Sequence, residues 1–401
     1  MHSRSWLSLL SLPLVVAFTI PVVQQGRPPK PQNSGASSPA QDPLAGIADI
    51  QDVLSLVQQN YVDAPDMGKV VSGGIQAVLE RSHPLNAYLS PEDLRLPDPG
   101  PASAGLTVVK RGIYGTVVAV TPGGPAAKAG IQVGDVIRKV NGDSVGILSA
   151  WSLERNLRGP EGSSLDLYRY NASGDLTKTT VVRQRITPAA ITVKPGAGAV
   201  LVALPDLGAG RAEELKRVLA TLDRHQTLVL DLRTCASGTF QEAAAVAGGL
   251  GSKGVLGTLQ EAGKPEQSMQ ITGTGDPFSK LALLQGRSTL GPAEVLAACL
   301  RKNGASTLGD KTPGLAVERQ RFPLKQGGAV ELVARRWLGL GGEKLDRQGV
   351  PADRSLKLVE TDDVLAKVLA ALQTPVVAAK AAAPEAANKA TTPSPAQKPQ
   401  H

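Results

Sequence analysis

Nucleophilic catalysis needs a hydroxyl, thiol or amine beside a base, and this chain is thinly supplied with bases. Of its four histidines, His2 and His401 stand near the chain ends, leaving His83 and His225. His225 follows a helical pattern, where a cation is favoured by the helix dipole. No His/Cys cluster has zinc-ligand spacing, so no metal is expected. No phosphate-cradling or dinucleotide glycine fingerprint is present, so no cofactor is expected either. Ser288 and Lys311 fall beside the ends of two successive strand patterns. By themselves they read as a strand-end hydroxyl and an exposed loop lysine. Ser237, two residues from Cys235, is a second candidate nucleophile, with ordinary turn chemistry as its plainer reading. Cys235 and Cys299 read equally as one bridge or as two buried thiols.

A binding chemistry is better supplied. Residues 121–142 read TPGGPAAKAGIQVGDVIRKVNG, a Pro/Gly turn, one helical turn closed by Gly130, a Gly134-Asp135 turn, a strand and an Asn141-Gly142 turn. This run resembles the centre of a bacterial PDZ domain. Upstream, Gly105, Leu106, Thr107 and Val108 stand where such domains place the loop whose successive N–H groups hold a peptide's terminal carboxylate. Downstream, residues 149–158 (SAWSLERNLR) would be the flanking helix. Its Leu153 and Leu157 line a pocket for an apolar terminal side chain, or else, like Leu106 and Val108, pack the module's core. Residues 165–170 and 179–185 alternate as a closing hairpin. The module is expected over residues 103–187.

The elements around it follow from periodicity. Of 401 residues only 3% are aromatic, with 43 Gly and 30 Pro, so Ala, Val and Leu must fill the core. The net charge of +8 is scattered, with no basic-aromatic stripe, and nucleic acid is not an expected partner. Arg4 precedes an apolar run to Val23, read as a secretory signal or retained anchor over residues 1–25. The chain is therefore expected outside the cytosol, periplasmic or anchored facing the periplasm, with that anchor its one membrane contact. Residues 26–42 read as a Pro/Ser-rich linker, residues 43–95 as a helical segment with a turn over 82–91, and residues 374–401 as a disordered tail. Between 190 and 373 strand and helix patterns alternate, with helices expected over 211–225, 240–250, 292–302 and 359–372. That alternation implies an α/β core with parallel strand pairing.

With these segments placed, residues 42–358 resemble the carboxyl-terminal processing peptidases, Ser/Lys proteases with an N-terminal helical segment, an inserted PDZ domain and an α/β core. The runs Tyr61-Val62-Asp63, Asp231-Leu232-Arg233, Ala293-Glu294-Val295-Leu296-Ala297 and Gly349-Val350-Pro351-Ala352-Asp353 carry the likeness. The chain departs from that family where its chemistry lies. The nucleophilic serine of an S-A-S-E-like run falls on Gly291, the lysine of an F-G-K-G run on Leu315, and the supporting glutamine at about Arg319, with Gln320 one place off. The turn that helps build the oxyanion site reads Thr234-Cys235-Ala236-Ser237-Gly238. Glycine and leucine can neither attack nor titrate. The resemblance and its departures together imply an exported, non-catalytic relative that binds protein C-termini as a scaffold or adaptor. The alternatives are an active serine-type endopeptidase using Ser288 and Lys311, and a core serving only as an assembly surface. Partner identity and oligomeric state are left open.

Overall fold

A computed structural model describes residues 46–374, apart from 172 and 360. The expected signal (1–25), linker (26–42) and tail (374–401, beyond its first residue) lie outside the described residues. The chain divides into two units after Pro65. The first holds helix α1 (Gly46–Asn60), none of whose side chains is buried.

The second unit begins with α2 (Met67–Ser82), capped by Asp66, whose side chain accepts from the Lys69 N–H. Residues 82–91, expected as a turn, hold a three-residue strand, β1 (Ala87–Leu89), and run into α3 (Pro91–Arg95). A reciprocal Ser90/Asp93 capping box starts α3. The reason β1 is a strand is not local: it pairs with a partner some 240 residues away, Ala87 opposite Glu331.

The PDZ module contains β2 (Ala102–Ser103), β3 (Leu106–Arg111), β4 (Tyr114–Val120), α4 (Pro125–Lys128), β5 (Val136–Val140), β6 (Asp143–Ser144), α5 (Ala150–Leu157), β7 (Arg158–Gly159), β8 (Ser164–Tyr170) and β9 (Leu176–Val182). Its main sheet runs β3-β4-β5-β8-β9, so among the described residues β3 is an edge strand paired only with β4. Gly105 precedes β3 at φ +71°, and a Cβ there would meet Pro125 at 3.1 Å. The turn at Gly134 and Asp135 is fastened by a buried ion pair, Arg169 Nη1 to Asp135 Oδ2 at 2.6 Å. The two ends of the module meet: Ser103 and Gln184 exchange both backbone hydrogen bonds, at 2.9 and 3.1 Å.

The core opens with β10 (Thr192–Gly196) and β11 (Ala199–Ala203), followed by α6 (Arg211–Ala220), β12 (Thr227–Asp231), α7 (Phe240–Gly249), β13 (Val255–Glu261) and β14 (Gln267–Gln270). It closes with β15 (Lys280–Gln285), α8 (Pro292–Lys302), β16 (Ser306–Gly309), β17 (Val317–Pro323), β18 (Ala329–Leu338) and α9 (Val364–Gln373). Strands β11, β12, β15 and β16 pair in parallel, with β10 antiparallel on the edge. The near-continuous apolar runs follow because both faces are covered. Val200, Val202, Leu228 and Leu230 join the cluster with α6, α7 and α8. Their neighbours Leu201 and Val229 join the opposite one with Val368 of α9.

Two helices are shorter than the periodicity predicts. Helix α6 stops at Ala220, where the Thr221 N–H bonds the Val218 carbonyl and the Asp223 side chain caps the turn by accepting from the His225 N–H. Helix α9 starts only at Val364, after its Asp363 cap. A second, antiparallel sheet, β1-β18-β13-β14 with β17 on β18, is not implied by the strand-helix alternation.

Candidate functional site

Three loops leave the carboxyl ends of adjacent parallel strands β12, β15 and β16, the place where open α/β sheets build their sites. Hydrogen bonds fasten the loops to one another. Thr289 Oγ1 donates to the Leu232 carbonyl at 2.8 Å, and the Leu290 N–H donates to the Cys235 carbonyl at 3.0 Å. Gln285 Nε2 donates to the Val350 carbonyl at 2.8 Å.

At the head of α8 stands Gly291, with φ +56° and ψ −113°, a backbone conformation that a side-chain-bearing residue holds only under strain. The space above it is open: a Cβ built there would find only the Leu315 carbonyl oxygen, at 3.7 Å. The fold thus keeps a sharp strand-to-helix turn, and Gly291 supplies it without a nucleophile.

One turn into α8, Glu294 is fully buried. Its carboxylate accepts from Thr312 Oγ1, from the Gly314 and Leu315 N–H groups at 2.6 Å each, and from the Gly291 N–H at 3.1 Å. Burial pushes its pKa up to about 7, opposed by these four donors. Glu294 therefore knots the turn at Gly291 to the loop that carries Leu315. Sequence reasoning placed it in a family motif without this role; only burial and its donors reveal it.

The loop it holds carries Leu315. This side chain packs with Leu290, Ala236 and Leu85 against Val109, Val118 and Ala119 of β3 and β4. The site's rim is therefore an apolar seat for the PDZ module. Arg319 adds a polar contact to that same module, with Nη2 2.8 Å from Glu154 of α5 and Nη1 3.6 Å from Glu331 of β18. Gln320 lies on an exposed stretch of β17 opposite Leu332.

Ser288 is buried, and its hydroxyl donates to the Val118 carbonyl of β4 at 2.9 Å. Lys311 is exposed, and no hydrogen bond joins the two side chains. Ser237 is exposed, its carbonyl accepting from the Leu207 N–H. Cys235 and Cys299 are both free and buried. Burial holds both thiols above their usual pKa, so neither is a thiolate at neutral pH. Gly238 is required for a steric reason, since a Cβ would strike the Leu207 backbone at 2.3 Å.

His83 Nε2 lies 3.1 Å from Asp346 Oδ1, while its Nδ1 accepts from the Leu85 N–H. That pairing could not be read from residues 263 apart in the chain. His225 is exposed. Among the described residues, no group of His, Cys, Asp and Glu could hold a metal ion.

In the PDZ module, Leu106, Val108, Leu153 and Leu157 all face inward and join the buried core, while Thr107 is exposed. Gly105 is tied down at its N–H by Ser103 Oγ at 3.1 Å.

Comparison with known proteins agrees with this architecture. Residues 199–356 match the model of Peptidase family S41, and residues 116–167 match that of the PDZ domain. The chain is 24% identical over 320 residues to the "Probable CtpA-like serine protease" of Staphylococcus aureus strain MSSA476, covering 77% of this chain and 64% of that protein. It is 26% identical over 257 residues to "Carboxyl-terminal-processing peptidase 2, chloroplastic" of Arabidopsis thaliana, covering 60% and 49%. The chain thus spans less than two thirds of the length of these relatives. Among solved structures, a photosystem II D1 C-terminal processing protease shares the fold, with a TM-score of 0.63 and 21% identity over 78% of this chain and 93% of that one. A segment matching Peptidase family S41, preceded by a segment matching the PDZ domain, is thus the order in which this chain is similar to the carboxyl-terminal processing peptidases.

Proposed function

We propose that this chain is a non-catalytic member of that family which binds the C-termini of extracytoplasmic proteins as a scaffold or adaptor. The observation that carries the reading is the pair Gly291 and Leu315. One offers an empty turn, and the other fills the base's place with an apolar side chain packed against the PDZ module. Losing both nucleophile and base removes the covalent route and leaves binding. Ser288 supports the same reading, because its hydroxyl is engaged with the Val118 carbonyl of the module rather than with Lys311. The edge strand β3 behind Gly105 supports peptide binding by strand addition. Export rests on the basic and apolar pattern of residues 4–23.

Digestion of casein by the purified chain tests the reading, beside its Ser288→Ala and Lys311→Ala variants. The expected result is no cleavage by any of the three. Hydrolysis lost in both variants would instead establish a relocated dyad, and the chain would be a working endopeptidase.

A further inference from the structure

Lys110 is a charge in an unusual place. It lies on β3, is 3% exposed, and uses all three of its N–H donors. Two go to carbonyls of the turn that precedes α5, Leu148 at 2.6 Å and Gly146 at 3.1 Å. The third goes to Glu80 Oε1 of α2 at 2.6 Å. The ammonium thus joins β3 to the turn that leads into α5. A buried ammonium needs an anion, and among the described residues the one acidic side chain bonded to Lys110, Glu80, comes from outside the module. Glu80 is itself held by Gln76 at 2.7 Å and is 23% exposed, so water reaches this counter-ion.

We infer that Lys110 selects peptides carrying Asp or Glu at the third residue from the C-terminus, whose carboxylate takes the place of Glu80. This rests on the peptide-binding reading above. A peptide added antiparallel to β3 sets its terminal carboxylate at the Gly105–Val108 turn, which puts the terminal residue beside Val108. Strand alternation then turns the last and third-last side chains toward α5. The last meets the apolar set Leu106, Val108, Leu153 and Leu157. The third-last meets Lys110. The second-last points away from the groove. Occupation by such a peptide releases Glu80, and with it the ion pair between α2 and the module.

Fluorescently labelled octapeptides ending in Asp-Ala-Val, Asn-Ala-Val, Lys-Ala-Val and Ala-Asp-Val, titrated onto the full chain, test this. The Asp-Ala-Val peptide is expected to bind about tenfold more tightly than Asn-Ala-Val, the effect of one close, desolvated charge pair. Ala-Asp-Val, with its charge facing away, should gain nothing. Lys110→Met should erase the preference. Glu80→Gln, which removes the competing carboxylate and leaves Lys110 in place, should tighten Asp-Ala-Val binding further. Equal binding of the acidic and neutral peptides overturns the inference alone, as does a preference that survives Lys110→Met. Binding of no peptide at all overturns both this inference and the peptide-binding reading beneath it.

Discussion

Serine in place of Gly291 should destabilise the fold by about 1–3 kcal/mol, the cost of holding a side chain at that φ and ψ. No clash adds to this, because the Cβ position is open. Denaturant unfolding of Gly291→Ser measures it. Glu294 makes a prediction of opposite character. Its folded pKa, up to about 7, lies above the ordinary 4.5. The folded protein therefore keeps that proton to a higher pH than the unfolded chain does. The stability it contributes is fully present below about pH 4.5 and is lost as pH rises through 7. Glu294→Gln should abolish that slope in urea midpoints taken across the window. It should also cost about 1–3 kcal/mol at every pH, because an amide N–H2 would face backbone donors. At this scale the sequence singled out Gly291, Leu315 and Arg319 by their types alone. It could not disclose that Leu315 and Arg319 contact the PDZ module, because those contacts join positions more than 150 residues apart.

At the scale of elements, two kinds of contact hold the module to the core, and their magnitudes differ. Arg319 and Glu154 form a partly exposed ion pair, of the kind worth about 0–1 kcal/mol. The apolar cluster around Leu315 is the stronger joint. Leu315→Ala should cost about 1–3 kcal/mol, less than a fully buried leucine because Leu315 is only partly covered. Arg319→Ala should cost under about 1 kcal/mol. Chemical unfolding of the two variants side by side checks the order. Elements with an apolar period were legible in the sequence: α8 is found at Pro292–Lys302 as expected, and β12 and β15 stand out as continuous apolar runs. Strand β17 was not, because VERQRFP is polar on both faces and owes its conformation to β18. Strand β1 escaped for a similar reason, being three residues long with a partner distant in sequence.

Across the whole molecule, the two cysteines give a simple readout. Both are free and buried in the core cluster, so native protein should be inert to a thiol reagent such as DTNB. Two thiols per chain should react once the core is unfolded. The same core was legible in its class, since alternating strands and helices imply a parallel sheet, but its antiparallel companion sheet pairs strands as distant in sequence as β1 and β18.

That companion sheet bears on how the chain reaches its folded state. Pairing β1 with β18 closes a loop of some 240 residues, and the entropy cost of closure grows with the logarithm of loop length. The inserted module shortens that search. Because Ser103 and Gln184 are hydrogen-bonded to each other, folding of the module alone brings its two ends together and removes about 80 residues from the effective loop. The β1–β18 joint should therefore form last, after the module and the parallel core. In refolding followed by pulsed hydrogen exchange, the amides of β1 should gain protection later than those of β5, β8 and β12.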